Sequence, residues 1–543
     1  MRVVHYTLIT SLPILLCLFL PLIPLTYTFE EYSTYKGTIR CRAAAIFRPK
    51  SVREVQAIVK EAIAKNHTVK AIGSRHSSND NICTDGIAIV MKNLRWVKIE
   101  DVDGNKIARV GAGIELMDLL ENLNEHGYSL EHFPAFGGIT IGGAMGTGAH
   151  GSSLLHPTTI SELAIGMIFV DAKGKIRYID REYSDFSAFR VHLGLLGVVV
   201  EIHLPLVNQY KVSVQLYRSS EEILFNDVAL ELARKTDFFQ LWWFPSSRSV
   251  VVSLGNYTSL DVPGNAIFNL IPDVAEFKVG VVHLLVEHLQ ALNSTRGMFL
   301  FQYMTESSLY KNMLGRPAIL SEDGKKVMNP ATGYSFNMLS SRCTKCPWSP
   351  TKYPVRDDEI AMALPLDRFA DIIKDMRAIF ELNPVPFPLI GIYFRFSPAS
   401  DSLMGIETGR ETLHIDFASI MRANPRDTPR LGLATYQAIG QMLVDKYDGR
   451  PHFGKNGLYY SSAAVASRAY PNLERFAEIV ERYDPTGVFM NDYGRRILGF
   501  TEQVSMPPDI KHCALEDYCL CSVDEDCAAG QTCGELAGYS VCR

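Results

Sequence analysis

The sequence predicts an α+β protein of two domains, followed by a short cysteine-rich tail. In the first part of the chain, short apolar runs alternate with runs of helical periodicity. Past about Asn208, strand-like segments mix with longer helical stretches, which is typical of an antiparallel sheet covered by helices. Six cysteines crowd the end of the chain. The predicted segments are a leader at residues 1–28, domains at 35–207 and 208–500, and a tail at 501–543.

The first domain is predicted to contain two amphipathic helices and several short strands. The helix over 52–65 has an apolar face made of Val55, Ile58, Val59 and Ile63. The helix over 115–126 has an inward face of four leucines (Leu116, Leu119, Leu120 and Leu123) and ends at Gly127, a C-cap glycine. The predicted strands are Val69–Ile72, Gly86–Lys92, Lys106–Gly111, Leu163–Val170 and the last part of His192–Leu204.

The second domain is predicted to pair several strands into an antiparallel sheet. The clearest segments are the strands Val212–Tyr217, Ser249–Leu254, Leu389–Pro398 and Thr412–Phe417, and the helix Leu366–Phe380. Side chains alternate along a strand, so Arg395 shares a face with Tyr393, and His414 shares a face with Asp416. If the last two strands are neighbours, these four side chains lie together.

The N-terminus has the order of a secretory signal peptide. Arg2 precedes the nearly uninterrupted apolar run Leu12–Leu25, and Thr26–Thr28 offers a polar exit for cleavage. The apolar run is short for a membrane span and contains prolines. We therefore expect a secreted or lumenal protein, with a membrane anchor formed by residues 6–29 as the alternative.

Cysteine usage agrees with passage through an oxidising compartment. Loss of Cys17 with the leader would leave an even number of the 11 cysteines. The tail cysteines (Cys513, Cys519, Cys521, Cys527, Cys533 and Cys542) predict disulfides that hold a segment too small for its own core. Zinc binding is the alternative there, but paired CxxC spacing is missing, and no metal site is predicted. The single CxxC, Cys343 to Cys346, is interpreted as a small disulfide loop. Three glycosylation sequons, at Asn66, Asn256 and Asn293, also fit this route.

Composition and charge limit the class of partner. The chain is 47% hydrophobic and 21% charged, which is ordinary for a globular protein. Its formal net charge is −5, and it has no long basic run. These features argue against a nucleic-acid partner. They do not predict an oligomeric state.

The segment Pro134–Ser153, PAFGGITIGGAMGTGAHGSS, contains seven glycines. Glycines let the backbone adopt positive φ, and successive N–H groups can then form a concavity for a pyrophosphate. A structural glycine-rich turn is the alternative. The earlier loop Ala71–Asp80, AIGSRHSSND, places His76 directly after a predicted strand and strengthens the phosphate-binding interpretation.

Four motifs resemble those of the vanillyl-alcohol-oxidase family and occur in the family's order. Gly73–Ser77 is similar to its first flavin loop, and the glycine-rich segment is similar to its second. Pro451–Lys455, PHFGK, resembles the His-x-x-Lys motif of aldonolactone oxidases, and Asp484–Gly499 resembles the end of their catalytic domain. The resemblance, from about Tyr35 to Gly499, is strongest to plant-type L-gulono-1,4-lactone oxidases, including their tail. It implies a PCMH-type FAD-binding domain followed by a substrate (cap) domain.

This resemblance implies FAD, bonded covalently through His76 to the flavin 8α carbon. A neutral imidazole nitrogen is nucleophilic at neutral pH. The residues implied to wrap the pyrophosphate and ribose are Gly73, Ser74, Arg75, Ser77, Gly142, Gly143, Gly146, Thr147 and His150. Gly197 and Val199 are implied to line the adenine or dimethylbenzene side. Arg75 stands where the family more often has glycine, which leaves the loop path open, although a guanidinium can bind phosphate.

The resemblance also implies catalytic residues. Lys455 would stabilise negative charge on the reduced flavin or contact the substrate, and Arg395 is the second cation. The family's Glu-x-Arg pattern would place a glutamate at Tyr393, so either the proton acceptor comes from elsewhere or the contact with the polyol differs here. His414 is a plausible base, with a structurally satisfied histidine as the alternative. Pro134 corresponds to the family position where Gly or Pro goes with reactivity towards O₂.

The predicted function is FAD-dependent oxidation of an aldono-1,4-lactone by O₂. The substrate would be L-gulono-, L-galactono- or D-arabinono-1,4-lactone, and the products H₂O₂ and an ascorbate-type enediol. An alditol or oligosaccharide oxidase, or a dehydrogenase of the same fold, is the second interpretation because of Tyr393. A non-catalytic secreted flavoprotein is the third, and the presence of His76 and Lys455 speaks against it.

Overall fold

The structure is a computed structural model of the whole chain. It describes residues 29–268, 276–292, 294–311, 319–320, 329–342, 357–420, 430–501, 506 and 510–543. The predicted leader, the sequon at Asn293 and the Cys343 to Cys346 pair lie outside these residues. Within them, no helix combines the length and the apolar character needed to cross a membrane.

The first part of the chain forms two main sheets and two two-stranded sheets, together with five α-helices among the described residues. Its strands are β1 Glu30–Ser33, β2 Arg40–Ala43, β3 Ala45–Phe47, β4 Val69–Ile72, β5 Ile87–Val90, β6 Val97–Val102, β7 Asn105–Gly111, β8 Tyr128–Ser129, β9 Gly166–Val170, β10 Ile176–Asp180, β11 Val198–Pro205 and β12 Val207–Asn208. Its helices are α1 Val52–Ala64, α2 Leu116–Glu125, α3 Ile141–Thr147, α4 Ile160–Leu163 and α5 Phe186–Arg190. A parallel sheet has the order β3-β5-β4, and an antiparallel sheet has the order β10-β9-β11-β7-β6. The two-stranded sheets are β1-β2 and β12-β8.

The rest of the chain forms a large antiparallel sheet and most of the longer helices. Its strands are β13 Lys211–Ser220, β14 Phe238–Phe244, β15 Ser249–Thr258, β16 Ile267–Phe268, β17 Ile319–Leu320, β18 Ala331–Tyr334, β19 Asp357–Pro365, β20 Ile392–Ser397, β21 Thr412–Ile420, β22 Arg450–Pro451, β23 Cys533–Leu536 and β24 Tyr539–Cys542. Its helices are α6 Val228–Lys235, α7 Glu276–Ala291, α8 Thr295–Lys311, α9 Ser335–Leu339, α10 Phe369–Leu382, α11 Leu433–Tyr447, α12 Ala463–Ala469, α13 Leu473–Tyr483 and α14 Asp492–Ile497. The order of the large sheet is β18-β13-β15-β14-β20-β21-β19-β22.

The large sheet positions the site because β20 and β21 are neighbours. Their register pairs Arg395 with His414 and Tyr393 with Asp416. Directly paired residues of an antiparallel sheet project from the same face, so these side chains gather on one side. The predicted α+β class is confirmed, and α10 and α11 cover the opposite apolar surface of this sheet.

The burial of side chains in α1 and α2 can be compared with the apolar faces predicted for these helices. All four inward leucines of α2 are buried, and Gly127 follows the helix with a φ of 80°. In α1 the prediction for Ile63 is wrong, because its side chain is exposed and Ala62 is buried instead. Ala62 continues the buried stripe of Val55, Ile58 and Val59, and Ile63 lies one residue further around the helix, beside that stripe.

The glycine-rich segment is less irregular than its composition suggests. The expectation of repeated positive φ is wrong, because residues 141–147 form α3 and only Gly148, at 67°, has positive φ within residues 134–153. Glycine permits helical backbone as well as left-handed backbone, so the composition does not distinguish them. Here the missing side chains serve close packing instead.

The tail is held by three disulfides and lies against α11. The pairs are Cys513–Cys519, Cys521–Cys533 and Cys527–Cys542. The predicted disulfide tail is therefore confirmed, and its sulfurs are not free zinc ligands. Gln437 of α11 fastens the tail, because its side chain donates to Ala514 O at 2.7 Å and accepts from Cys542 N at 2.8 Å. A fourth disulfide, Cys41–Cys83, was not anticipated from the sequence.

Candidate active site

One cavity of about 470 Å³ brings together the loop after β4, the segment around α3 and the face of β20 and β21. The predicted residues that line it are Gly73, Ser74, Arg75, His76, Ser77, Pro134, Gly142, Gly143, Gly146, Thr147, His150, Val199, Arg395 and Lys455. Sequence segments far apart in the chain thus meet at a single site.

Two predicted residues do not line this cavity. Gly197 is packed against the sheet, where an added Cβ would lie 2.8 Å from both Phe169 and the Val170 carbonyl oxygen. His414 is buried behind His150, with the two ring centroids 3.6 Å apart. Its Nε2 is 2.8 Å from Ser397 Oγ, as expected of a structurally satisfied histidine. The structure therefore places neither Gly197 nor His414 at the cavity wall, and for His414 it favours the alternative of a structurally satisfied histidine.

Three glycines allow the cavity walls to approach each other. A Cβ on Gly73 would lie 2.0 Å from Thr140 Oγ1, which joins the loop after β4 to the N-terminus of α3. A Cβ on Gly142 would lie 3.0 Å from the Ala112 side chain. At Gly146 it would lie 3.1 Å from His192 Nε2. These contacts explain glycine at the three positions by space rather than by backbone dihedrals.

Arg75 adopts a left-handed backbone, with a φ of 59°. A residue with a Cβ is less stable than glycine in this region by about 1–2 kcal/mol. The backbone is nevertheless fixed there, because Tyr35 N donates to the Arg75 carbonyl at 3.0 Å. The loop therefore follows a path that favours glycine, although this chain has arginine.

His76 is held between two aromatic rings. Its ring centroid is 4.0 Å from that of Tyr35, with nearly parallel planes, and 4.2 Å from that of Phe136. Both neighbours line the cavity as well. This stack fixes the plane of the imidazole at the cavity wall.

Three further histidines line the cavity in their neutral form. Burial lowers the pKa of His192 and His452 to about 3, and it lowers the pKa of His150 well below its usual value. Gly194 N donates to His192 Nδ1 at 2.9 Å, so the ring proton lies on Nε2. Among the described residues this buried Nε2 has no acceptor, and Ser74 Oγ is likewise buried without a partner. Both are polar groups available to a bound molecule.

The sequence analysis missed two charged residues of the cavity. Lys70, in β4, donates through Nζ to Leu193 O at 2.9 Å, and burial lowers its pKa to about 7. Glu359, in β19, accepts from Lys36 Nζ at 3.0 Å. Burial alone would raise the pKa of Glu359, but Lys36 and Lys455 lower it well below its usual range. Neither residue belongs to a recognisable motif. Their place in the cavity wall becomes visible only when the strands that carry them are assembled into sheets.

A cluster of charges lies at the β20 and β21 side of the cavity. Asp416 Oδ2 accepts from Arg395 Nη2 at 3.3 Å and from Lys455 Nζ. Burial alone would lower the pKa of Lys455, but Asp416 and Glu359 outweigh it and raise the pKa. The Arg395 guanidinium lies 4.8 Å from the Tyr393 ring centroid, so Tyr393 acts as a platform for the arginine.

Two families match the chain, one in its first part and the other in the rest. Residues 43–180 match a family described as an FAD binding domain. Residues 202–497, more than half of the chain, match the D-arabinono-1,4-lactone oxidase family. The chain belongs to the D-arabinono-1,4-lactone oxidase family. It is an FAD-linked oxidoreductase of that family, as the motifs predicted.

Relatives in this family span nearly the whole chain. Probable L-gulonolactone oxidase 1 of Arabidopsis thaliana is 27% identical, and the alignment covers 92% of this chain and 87% of the relative. L-gulonolactone oxidase of Mus musculus is 26% identical, with coverage of 87% and 99%. Among solved structures, cholesterol oxidase from Brevibacterium sterolicum superposes with a TM-score of 0.66 at 14% identity, covering 87% of this chain and 97% of that chain. This last likeness shows the fold alone.

The cavity suits the FAD of this lactone oxidase family. His192 Nε2–H and Ser74 Oγ are buried polar groups without a protein partner among the described residues. A phosphorylated dinucleotide supplies the acceptors that such donors need. Gly73 and Gly146 leave room for close approach, since any side chain there would meet Thr140 or His192. The residues that would hold the cofactor all line the cavity: Gly73, Ser74, Arg75, His76, Ser77, Gly142, Gly143, Gly146, Thr147, His150, His192 and Val199.

Proposed function

We propose that this protein oxidises an aldono-1,4-lactone and passes the electrons to O₂, giving H₂O₂ and an ascorbate-type enediol. One observation carries the proposal: Arg395 and Lys455 lie in the same cavity as His76 and the α3 segment. FAD, when bound, supplies a two-electron acceptor for the hydride of the alcohol carbon. The substrates considered are L-gulono-, L-galactono- and D-arabinono-1,4-lactone.

Arg395 and Lys455 would bind and orient the lactone. Arg395 Nε is buried and has no partner among the described residues, so it is free to donate. A lactone offers carbonyl, ring and hydroxyl oxygens, and charged donors form strong hydrogen bonds with such acceptors. Two fixed cations beside the reacting ring also stabilise the negative charge of an enediol product.

We also propose that His76 carries the flavin through a covalent bond to its 8α carbon. The stack on Tyr35 and Phe136 supports this, because it holds the imidazole in one plane at the cavity wall. After acid precipitation, flavin fluorescence should remain with the polypeptide of the wild type and leave that of His76→Ala. His126→Ala removes an exposed histidine and serves as the control. Release of flavin from the wild type would refute the linkage.

Pro134 is proposed to keep O₂ access open. It is buried in the cavity wall, directly before the segment that leads into α3. Pro134→Ala should slow reoxidation of the reduced protein by O₂ more than it slows anaerobic reduction by substrate. Stopped-flow measurements of the two half-reactions separate these effects. An equal effect on both half-reactions would contradict a role of Pro134 in O₂ access.

The deciding experiment is a substrate panel on the purified flavoprotein. H₂O₂ is measured aerobically with the three lactones and xylitol, and flavin bleaching is followed anaerobically. Peroxide with one lactone supports the proposal and identifies the substrate. Bleaching without peroxide indicates a dehydrogenase, and a response to xylitol alone indicates an alditol oxidase. No bleaching with any compound contradicts catalysis of this class.

The protein is proposed to follow the secretory route, losing residues 1–28, with an uncleaved anchor at 6–29 as the alternative. The four disulfides among the described residues support an oxidising compartment. The sequon asparagines Asn66 and Asn256 are exposed. N-terminal sequencing of the product, with a mobility shift after glycosidase treatment, tests both points. An intact N-terminus in a membrane fraction would favour the anchor.

A further inference from the structure

Oxidation of an alcohol requires a group that accepts the hydroxyl proton. The cavity wall contains few side chains that could act as this proton acceptor. Among the described residues that line it, the carboxylates are Glu359 and Asp416, and the histidines other than His76 are His150, His192 and His452. His414, the base expected from the sequence, does not line the cavity. The acceptor must therefore be found among the groups that do.

Glu359 is already saturated by protein donors. Its Oε1 accepts from Lys36 Nζ and from Ser78 Oγ. Its Oε2 lies 3.3 Å from Lys455 Nζ. Both oxygens of this carboxylate are engaged by protein donors, so neither is open to accept a substrate proton.

The lining histidines are also poor proton acceptors. Gly454 N donates to His452 Nδ1 at 3.0 Å, so the neutral ring carries its proton on Nε2, as at His192. Each of these rings therefore presents a donor to the cavity. His150 stacks on His414, and Arg395 lies nearby, so the protonated ring would be both buried and close to a cation.

Asp416 differs from all of these because one oxygen is engaged and the other is open. Both cations, Arg395 and Lys455, contact Oδ2. No described residue donates to Oδ1, and Asp416 lines the cavity. The register places Asp416 directly opposite Tyr393 on β20. The carboxylate of the site is therefore on β21, at Asp416, beside the β20 position that Tyr393 occupies.

We propose that Asp416 is the catalytic base, accepting the substrate hydroxyl proton on Oδ1; this inference rests on the proposed function. In the step, the C–H and O–H bonds of the alcohol break and a C=O bond forms. The hydride, with its two electrons, would pass to the FAD that this cavity would hold, and the proton goes to Asp416. Arg395 and Lys455 hold the carboxylate in place through its other oxygen.

A carboxylate is a weak base, but this step does not need a strong one. As the hydride leaves, the hydroxyl becomes the conjugate acid of a carbonyl, which is strongly acidic. Proton transfer that accompanies hydride departure is therefore favourable even to a weak base.

The test compares Asp416→Asn, which keeps the side-chain size, with Asp371→Asn on the exposed side of α10. Anaerobic flavin reduction at saturating lactone is measured from pH 5 to 10. For D416N we expect a reduction rate about 10²–10⁴-fold lower at pH 7, rising about tenfold per pH unit as hydroxide replaces the base. D371N should match the wild type throughout.

Two further readouts separate a base from a merely structural carboxylate. Binding of the lactone product, measured by its perturbation of the visible flavin spectrum, should weaken much less than the reduction rate falls in D416N. In Asp416→Ala, added formate should restore part of the rate, because a small carboxylate can occupy the vacated space. Loss of product binding equal to the loss of rate, without rescue, would overturn the inference.

The inference and the proposed function fail in distinguishable ways. A wild type that no lactone reduces would overturn both. A wild type that a lactone reduces, with D416N reduced at a similar rate and with the same pH profile, would overturn the inference alone. If D416N does not fold, Asp416→Glu gives the test: a slowed rate that keeps the wild-type pH profile supports the carboxylate as base, and a hydroxide-dependent profile refutes it.

Discussion

At the residue scale, the site depends on a contact between Gly73 and Thr140 that joins the two cofactor segments. An added Cβ at Gly73 would lie 2.0 Å from Thr140 Oγ1, well inside contact distance. We expect Gly73→Ala to lower the free energy of unfolding by about 1–3 kcal/mol because one segment must shift. Urea unfolding measures the loss, and the flavin-to-protein absorbance ratio reports cofactor retention.

The matched second variant is Thr140→Ala, which removes Oγ1. In the double variant, Gly73→Ala should cost less stability than it does alone, since its closest obstacle is gone. Strictly additive losses would contradict the steric explanation.

Arg75 offers a second residue-scale test, because its backbone is left-handed. Arg75→Gly and Arg75→Ala both remove the guanidinium and differ in their tolerance of positive φ. We expect the glycine variant to be more stable than the alanine variant by about 1 kcal/mol in urea unfolding. Equal stabilities would mean that the loop relaxes without this residue's backbone conformation.

At the element scale, the tail closes over α11 and is fastened by its disulfides. Cys527–Cys542 spans 15 residues, whereas Cys513–Cys519 spans six. Replacing Cys527 and Cys542 together by alanine should lower the free energy of unfolding by about 3 kcal/mol, because the unfolded chain gains freedom. Removing the shorter loop should cost less. The reverse order, measured by urea unfolding, would contradict this account.

Elements whose structure is determined by a local sequence pattern could be predicted, and elements that depend on packing against distant segments could not. The leucine stripe of α2 is a local pattern, and the structure buries all four leucines. The glycine-rich segment was expected to be irregular but contains α3, because glycine composition is compatible with both conformations. Ile63 was placed inward, but the buried stripe of α1 passes through Ala62 and leaves Ile63 exposed.

The site likewise contains residues that local motifs predict and residues that only the three-dimensional structure identifies. The two cofactor segments and the two cations come from motifs, and the cavity brings them together. Lys70 and Glu359 lie in ordinary strands, so nothing in their local sequence marks them. His414 was placed on the correct strand face, but His150 covers it, and only three-dimensional packing reveals this.

At the scale of the whole molecule, buried neutral histidines govern stability in acid. Burial lowers the pKa of His132, His192 and His452 to about 3, and the pKa of His150 and His414 well below the usual value. Unfolded histidine binds a proton near pH 6.5. The unfolded state therefore binds more protons below pH 6.5, so stability is greatest above that pH and falls steadily towards pH 3.

We expect each such histidine to contribute about 1.4 kcal/mol per pH unit to this fall. His132 lies outside the cavity lining, so His132→Gln should reduce the slope of unfolding free energy between pH 6 and 5 by about that amount. Urea unfolding at several pH values gives the slope. An unchanged slope in H132Q would show that His132 is already protonated in the folded protein.

The Cys41–Cys83 disulfide has a practical consequence for handling the protein. Its covalent loop, with a sequence separation of 42, contains β3, α1, β4 and the segment with His76. A thiol reductant added to a purification buffer would therefore cut the covalent strap around the cofactor loop as well as the bonds of the tail. Preparations intended for flavin analysis should be kept free of reductant from lysis onward, and a change in the visible flavin spectrum after thiol treatment would report the opened strap.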